Sequence, residues 1–328
     1  MLELDRQPEA RIRLDTHQLD EFEASLSGVD AHYVVTRSTA HEWRLRTIDL
    51  GDIRIMLMQF GSDCVFRGAF SPGRFGLALP LSKGTRFALN STLLESGALA
   101  WLAPGQEYHG VRQGGLRLVA ISIDARRLLH WSERYPGIFA IPANMIMHAN
   151  QGDILGLLAV LRQILHLETV EPHTLSDPVV RENACRHLLD AIRPLMETTQ
   201  PSTPVDHGRP RVGREEIIRS VLDVIDQNID EPIHLEELCK VAQVSERTLH
   251  AAFTECLGVS PHRYLMMHRL RAIHSAMLVA RPTDTVASIC AKYGIWDFGR
   301  FSAQYRRVFG TRPSLTLARA RHAMPALS

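Results

Sequence analysis

Between Leu235 and Pro313 the chain states one pattern twice, and this repeat restricts the possible folds more than any other feature. Leu238-Cys239, Val244-Ser245, Leu249, Phe253, Leu257-Gly258 and Pro261 return as Ile289-Cys290, Ile295-Trp296, Phe301, Tyr305, Phe309-Gly310 and Pro313. The offset is 51 from Leu238 to Val244 and 52 from Leu249 to Pro261, so the second copy carries one extra residue in its turn. Each copy predicts a short helix, a tight turn, a second helix and a Gly stop. Ser245 suits an N-cap, and Leu249, Phe253 and Leu257 at spacing four form one apolar stripe. Leu235, Leu238, Cys239 and Ala242 give the facing helix its own stripe, as do Val286, Ile289, Cys290 and Tyr293 in the second copy. Two such helices, with a polar outer face on the second, have the shape of a helix-turn-helix that reads DNA.

Ser260-Pro261 marks a helix start between the copies, Ser as cap and Pro in the first turn where its missing N–H costs nothing. No Gly or Pro interrupts the run to Val279, and Leu265, Leu270, Ile273 and Met277 stay near one face. A single rigid helix is expected to hold two reading heads, which could enter major-groove segments about 34 Å apart. From Arg247 to His322 twelve Lys and Arg face three acids, a net of +9. From Arg214 to Glu246 three bases face nine acids, a net of −6, so the whole-chain charge of +1 hides a basic last quarter. That skew is the electrostatic footprint of phosphate binding.

The helical wheel turns Leu249 and Phe253 inward and leaves Arg247, His250 and Ala251 outward, flanked by Glu246 and Thr254. Arg247 is the best candidate for a base contact, since a guanidinium can bond guanine O6 and N7 together, worth about 1–3 kcal/mol of discrimination. Its alternative is a phosphate contact, which positions without specifying. In the second copy Phe298, Gly299, Arg300, Ser302 and Ala303 are left near the groove. Only Arg300 and Ser302 offer hydrogen bonds, so this head is expected to lean on backbone contacts and shape. Ser245, Lys292, Arg306, Arg307 and Arg312 are candidates for phosphates; for the cations the plainer reading is solvated surface charge.

With these residues in place, the segment 214–321 resembles the C-terminal domain of the AraC/XylS family of bacterial transcription regulators. The matching signature is Ile289-Cys290-Ala291-Lys292-Tyr293-Gly294-Ile295, then Phe301-x-x-x-Tyr305-Arg306-Arg307-x-Phe309-Gly310-x-x-Pro313. Cys239 and Cys290 stand where the family usually has Ala, Ile295 where Phe is usual, and Tyr305 in place of a Phe. Each keeps a small or apolar residue in a core slot. The resemblance implies that Arg247, His250, Gly299 and Arg300 occupy positions that commonly contact bases.

At 328 residues, with 45% hydrophobic and 22% charged content, the chain suits two globular domains. Its opening residues are charged at once, and no apolar stretch is long enough to span a bilayer, so no signal peptide or membrane span is expected. Cys64, Cys185, Cys239, Cys256 and Cys290 are scattered and form no CxxC, which reads as buried thiols in a reducing cytoplasm rather than a redox or zinc site.

Residues 15–26 predict a capped helix with Leu19, Phe22 and Leu26 on one face. From Tyr33 the period becomes two: Ile53, Ile55 and Leu57; Phe75, Leu77, Leu79 and Leu81; Leu116, Leu118 and Ala120. Repeated glycines break these runs, which predicts a β-sandwich or barrel over 33–124. Gly97–His109 resembles the turn of a cupin barrel, and Arg74 to Ile121 resembles the sensor domain of AraC-family members, in particular the ethanolamine-regulator subgroup. Phe75, Leu77, Leu79 and Trp101 are the candidate apolar lining of a ligand pocket, with Glu107, Tyr108 and His109 as its polar groups. The competing reading is that Trp101 plugs the barrel and the domain only dimerises. His109 lacks an HxH neighbour, so neither metal nor cofactor is expected.

Helical periodicity returns at Ile154, Leu157, Leu158, Val160, Leu161, Ile164 and Leu165, and again at Val179, Ala184, Leu188, Leu189 and Ile192. These stripes fit a core layer or a dimer interface equally well. Residues 198–213, with three Pro and two Gly, read as a linker, and Arg214 to Asn228 opens the second domain.

The expected architecture is α+β with two domains. Residues 1–197 form a cupin-like ligand-sensing and dimerisation domain, 198–213 a linker, and 214–322 a DNA-binding domain with two helix-turn-helix units. The expected function is sequence-specific DNA binding by a transcription activator under small-molecule control. Its partners would be duplex DNA, an effector, RNA polymerase and a second copy of the chain, in the cytoplasm and away from membranes. Two alternatives remain: a constitutive DNA binder whose first domain only dimerises, and a cupin enzyme fused to DNA-binding helices. No paired carboxylates, nucleophile elbow or phosphate-binding Gly loop argues for catalysis.

Overall fold

The computed structural model describes residues 12–16, 19–39, 41–95, 97–134, 145–171, 173–197, 200–201, 212–228 and 233–323. They divide into two compact units. The first holds the described residues up to 201 except the strand pieces 34–39 and 63–65, which group with those from 212 onward.

Two antiparallel sheets build the N-terminal part. The larger has eight strands in the order β1 (Ile12–Thr16), β3 (Trp43–Asp49), β4 (Ile53–Gln59), β11 (Arg117–Asp124), β6 (Arg74–Pro80), β9 (Ala98–Leu102), β12 (Met145–His148) and β13 (Gln200–Pro201). The smaller runs β2 (Val29–Ser38), β5 (Ser62–Phe70), β10 (Glu107–Arg112), β7 (Phe87–Leu89) and β8 (Thr92–Leu93). The arrangement is thus an open sandwich of two sheets.

β11 sets the register at the centre of the larger sheet. Val119 lies opposite Leu57 and Leu79, Ile121 opposite Ile55 and Leu77, and Ile123 opposite Ile53 and Phe75. This row forms one face, and it packs with Trp101 against two helices, α3 (Gln151–Val170) and α4 (Pro178–Glu197). Leu157, Leu161, Leu188, Ile192 and Leu195 are each at most 1% exposed. Burial of such side chains stabilises by about 1.5–3 kcal/mol apiece, so the two apolar stripes are core except at the start of α4, where Val179 is 68% exposed. Arg46 on β3 pairs with Glu168 of α3 at 2.8 Å and fastens the layer. The opposite face carries Met56, Met58, Ala78, Leu118 and Ala120 toward the smaller sheet. Gly76 is required there, because an added Cβ would stand 2.0 Å from the Phe70 ring.

Three expectations change at this level. Asp15 and Thr16 belong to β1 and the first helix, α1, covers only Leu19–Ala24. Strands continue beyond 124 into β12 and β13, after a helix α2 (Ala125–Arg134) that the period-two pattern did not announce. Of the expected linker, 198–199 and 202–211 lie outside the described residues, Gln200–Pro201 pair with His148 and Met147, and 212–213 begin α5 (Val212–Gln227).

The C-terminal part is all helical: α5, α6 (Leu235–Ala242), α7 (Glu246–Leu257), α8 (Pro261–Leu278), α9 (Val286–Lys292), α10 (Phe298–Phe309) and α11 (Pro313–Ala323). Ser260 caps α8 by accepting from the Arg263 N–H, with Pro261 in the first turn. Its 18 residues span about 27 Å. The sequence suggests one apolar face on α8; the structure buries it on two sides. Near its start Tyr264 meets Phe253 of α7 edge-on at 5.7 Å. Near its end His274 stacks on Phe309 of α10 at 4.1 Å, within a core of Leu270, Ile273, Met277, Ile289, Cys290, Phe301 and Tyr305. One helix thereby serves as the floor for both copies of the repeat.

Candidate nucleic-acid interface

The two units share their backbone plan. α6 is capped by the left-handed Gln243 at φ 52°, and α9 is followed, one residue beyond its cap Tyr293, by the left-handed Gly294 at φ 69°. α7 and α10 each end in a left-handed glycine, Gly258 and Gly310, both at φ 69°. The caps differ in chemistry. Ser245 Oγ accepts from the Thr248 N–H at 3.2 Å, whereas in the second unit Asp297 Oδ1 accepts from the Arg300 N–H at 3.0 Å. Ser245 therefore corresponds to Asp297 and not to Trp296, and Trp296 is the extra residue of the second turn. It is 74% exposed.

On α7, Leu249, Ala252, Phe253, Cys256 and Leu257 are buried, while Arg247 and His250 are exposed and Ala251 is half-buried. On α10, Phe301 and Tyr305 are buried; Phe298, Gly299 and Arg300 are exposed and Ser302 is half-buried. Arg306, Arg307 and Arg312 are exposed. Among the described residues none of these arginines has an acidic partner, whereas Lys292 lies 3.6 Å from Asp284. The Ser245 hydroxyl already serves its helix, with Thr248 Oγ1 2.9 Å away. Trp296, set beside Phe298 at the start of α10, was not singled out from sequence, although the step from 51 to 52 in the repeat offset marks the place.

Tyr305 does more than fill the slot of a Phe. Its hydroxyl bonds the buried His274 Nδ1 and donates to Thr316 Oγ1 of α11 at 3.0 Å. Cys290 lies in the same core, where burial pushes its thiol up to about 11; among the described residues all five cysteines are free, four of them buried as expected and Cys239 only half-buried. No helix among the described residues is long and apolar enough to cross a membrane.

In the N-terminal part, the residues expected to line a pocket are split. Phe75, Leu77, Leu79 and Trp101 point to the α3–α4 layer, with Phe75 stacked on Trp101 at 5.2 Å. Leu118 and Tyr108 face the space between the sheets. Glu107 is on the surface in an ion pair with Arg67. His109 is buried, its N–H donating to Asn90 Oδ1 at 3.1 Å. The sequence reading missed Arg112, which is 6% exposed and lines the same space as Tyr108. The available signal was a charged residue in phase with the inward side of β10. No cluster of three or more His, Cys, Asp or Glu with metal-binding geometry occurs among the described residues.

Two capped helix-turn-helix units on one floor helix, with cations outward, define a tandem helix-turn-helix domain. Residues 238–319 match a family described as "Helix-turn-helix domain". Over 101 residues the chain is 33% identical to XylDLEGF operon transcriptional activator 2 of Pseudomonas putida, covering 30% of this chain and 63% of that protein. Over 150 residues it is 29% identical to XylDLEGF operon transcriptional activator 1 of the same organism, covering 45% and 43%. A solved probable AraC family transcriptional regulator from Rhodopseudomonas palustris CGA009 is 31% identical, covering 32% of this chain and 97% of that one, with a TM-score of 0.31. The chain thus spans between 43% and 63% of the length of the two curated relatives. Over this domain the chain is similar to regulators of the AraC/XylS family.

Proposed function

We propose that this chain is a transcription regulator, acting as an activator, that binds duplex DNA through its two helix-turn-helix units and answers to a small molecule held by its N-terminal domain. The observation that carries the DNA reading is the exposure of Arg247, His250 and Arg300 at corresponding faces of α7 and α10, with no acid pairing either arginine among the described residues. On this reading Arg247, His250 and Ala251 read bases in one groove segment, and Phe298, Gly299, Arg300 and Ser302 in the next. Arg306, Arg307, Arg312 and Lys292 hold phosphates, Lys292 after exchanging Asp284 for the backbone, and Ser245 adds a polar contact at the start of α7. The regulator works as a cytoplasmic homodimer, engages RNA polymerase and performs no catalysis. Both curated relatives are named as transcriptional activators, which supports the activator sense.

Anisotropy titrations of the full chain against duplexes from the promoters beside its own gene test the reading. Affinity should fall steeply with salt, because each neutralised phosphate releases counterions. Salt-insensitive binding, or none, from a folded protein overturns it. A DNA affinity indifferent to every compound in a metabolite screen would remove the sensor half and leave a constitutive binder.

A further inference from the structure

The two helix-turn-helix units present unlike chemistry at the same places. An offset of 52 sets Phe298 on α10 against Glu246 on α7, Gly299 against Arg247, and Arg300 against Thr248. All six are exposed. The first head thus shows a carboxylate and a guanidinium, groups that bond the cytosine amino group and guanine O6 and N7 in the major groove. At the matching places the second shows a ring and a bare backbone.

The insertion ahead of α10 adds another ring. Trp296 is 74% and Phe298 39% exposed, and among the described residues they are the only exposed aromatic side chains. Neither packs on a further ring or a cation among the described residues. Asp297 between them spends its carboxylate on the Arg300 N–H, as the cap of the helix. α10 itself carries three arginines and no acid. Two uncovered rings therefore stand on a helix whose charge suits DNA and whose start adjoins the candidate base-reading face.

Gly299 points the same way. An added Cβ would meet nothing nearer than Asp297 Oδ1 at 3.7 Å, an ordinary contact, so the packing of the protein does not call for glycine there. In a helix glycine costs stability relative to alanine. What the bare position gives is close approach of the backbone to a ligand.

Of the four bases only thymine turns an apolar group, its 5-methyl, into the major groove; the others show a ring nothing but donors and acceptors. Resting on the reading of this domain as DNA-binding, we propose that the second head recognises thymine by its 5-methyl group. Trp296 and Phe298 make the apolar contacts, and Gly299 lets α10 sit deep enough to make them. The first head reads through hydrogen bonds, the second through methyl groups.

Selection of the full chain on randomised duplexes supplies a binding sequence, and each of its thymines is then replaced singly by deoxyuridine, which lacks the methyl and keeps every hydrogen bond. Anisotropy should show affinity falling at one or two positions by about three- to fivefold, the worth of one buried CH₂. Those positions should lie in the segment whose base preference Arg247→Ala leaves unchanged. Joint replacement by Trp296→Ala and Phe298→Ala should erase the deoxyuridine effect, and Trp296→Phe should keep part of it. The scan of the unmodified chain stands even if the variants fail to fold. No methyl-sensitive thymine, sensitive thymines only in the Arg247 segment, or sensitivity unchanged in the folded double variant overturns the proposal. Where no methyl matters, weaker binding by the double variant assigns the rings to the sugar-phosphate backbone, and unchanged binding assigns them to a partner other than DNA. A chain that selects no duplex loses the DNA reading itself; one that selects duplexes but ignores every methyl keeps that reading and loses only thymine recognition.

Discussion

Gln243 and Gly294 occupy equivalent left-handed positions, φ 52° and 69°, at the turns of the two helix-turn-helix units. The first turn thus holds a side chain in a region that disfavours Cβ, and the second does not. A residue with Cβ in this region costs roughly 1 kcal/mol, partly offset by the greater freedom of glycine when unfolded. Gln243→Gly should therefore raise the melting temperature slightly, and Gly294→Ala should lower stability by about 1 kcal/mol. Thermal denaturation of both variants checks the pair; a destabilised Gln243→Gly would show that the Gln side chain contributes more than its backbone costs.

Tyr305→Phe should destabilise the protein even though it restores the aromatic residue usual in the family. The change removes the hydroxyl that joins the buried His274 to Thr316. Loss of such a shared partner costs about 1–3 kcal/mol. Urea denaturation at neutral pH reads the difference, and a neutral or stabilising result would mean that water replaces the hydroxyl.

Arg247 and Arg307 are both exposed arginines but should behave differently on DNA. Arg247→Ala should flatten base preference at one or two operator positions, costing about 1–3 kcal/mol there. Arg307→Ala should weaken all sequences alike and lower the salt slope by about one. Selection from randomised duplexes distinguishes the two, and the reverse pattern would show that the outward face is misassigned.

Trp296 is a natural reporter. Of the four tryptophans, Trp43, Trp101 and Trp131 are at most 8% exposed, against 74% for Trp296. Its place beside the start of α10 should shield it when the second head docks. Acrylamide quenching of the full chain should fall on adding a bound duplex, and Trp296→Phe should remove the change. Unaltered quenching under saturating DNA would place the second turn away from the duplex.

Asp284 should make stability depend on acid. Its carboxylate accepts from the Arg281 N–H at 2.9 Å and lies 3.6 Å from the Lys292 ammonium, and these hold its pKa below the ordinary 3.8. A depressed folded value means that the stabilisation is complete above the unfolded pKa and is lost as pH falls through the folded one. Asp284→Asn should therefore be less stable than the parent at pH 7, and the gap should narrow as pH falls below 3.8. A gap that does not change with pH would show that the charge of the Asp284 carboxylate contributes nothing to stability.

The C-terminal repeat was legible because its signals are local. Caps at Ser245 and Ser260, stops at Gly258 and Gly310, and stripes at spacing four each act within a turn or two of chain, so sequence suffices to read them. The cap at Asp297 escaped because a one-residue insertion hides it from simple alignment of the copies. Period two announced strands, but it could not say which face of a strand meets helices and which meets another sheet. Leu79 and Leu118 are both apolar and buried, yet they face opposite layers.

By itself, then, the order of residues determined where helices start and stop in the last quarter, which of their sides are apolar, and that two similar units share one floor. The tertiary structure decided that α8 is buried on two sides, that Tyr305 bonds across to α11, and that Arg112 stands among the rings of Tyr33, Phe60, Phe66 and Phe87. The reason is distance along the chain. Arg112 meets Tyr33 from 79 residues away, and contacts of that span depend on strand register and layer packing, which no local pattern encodes.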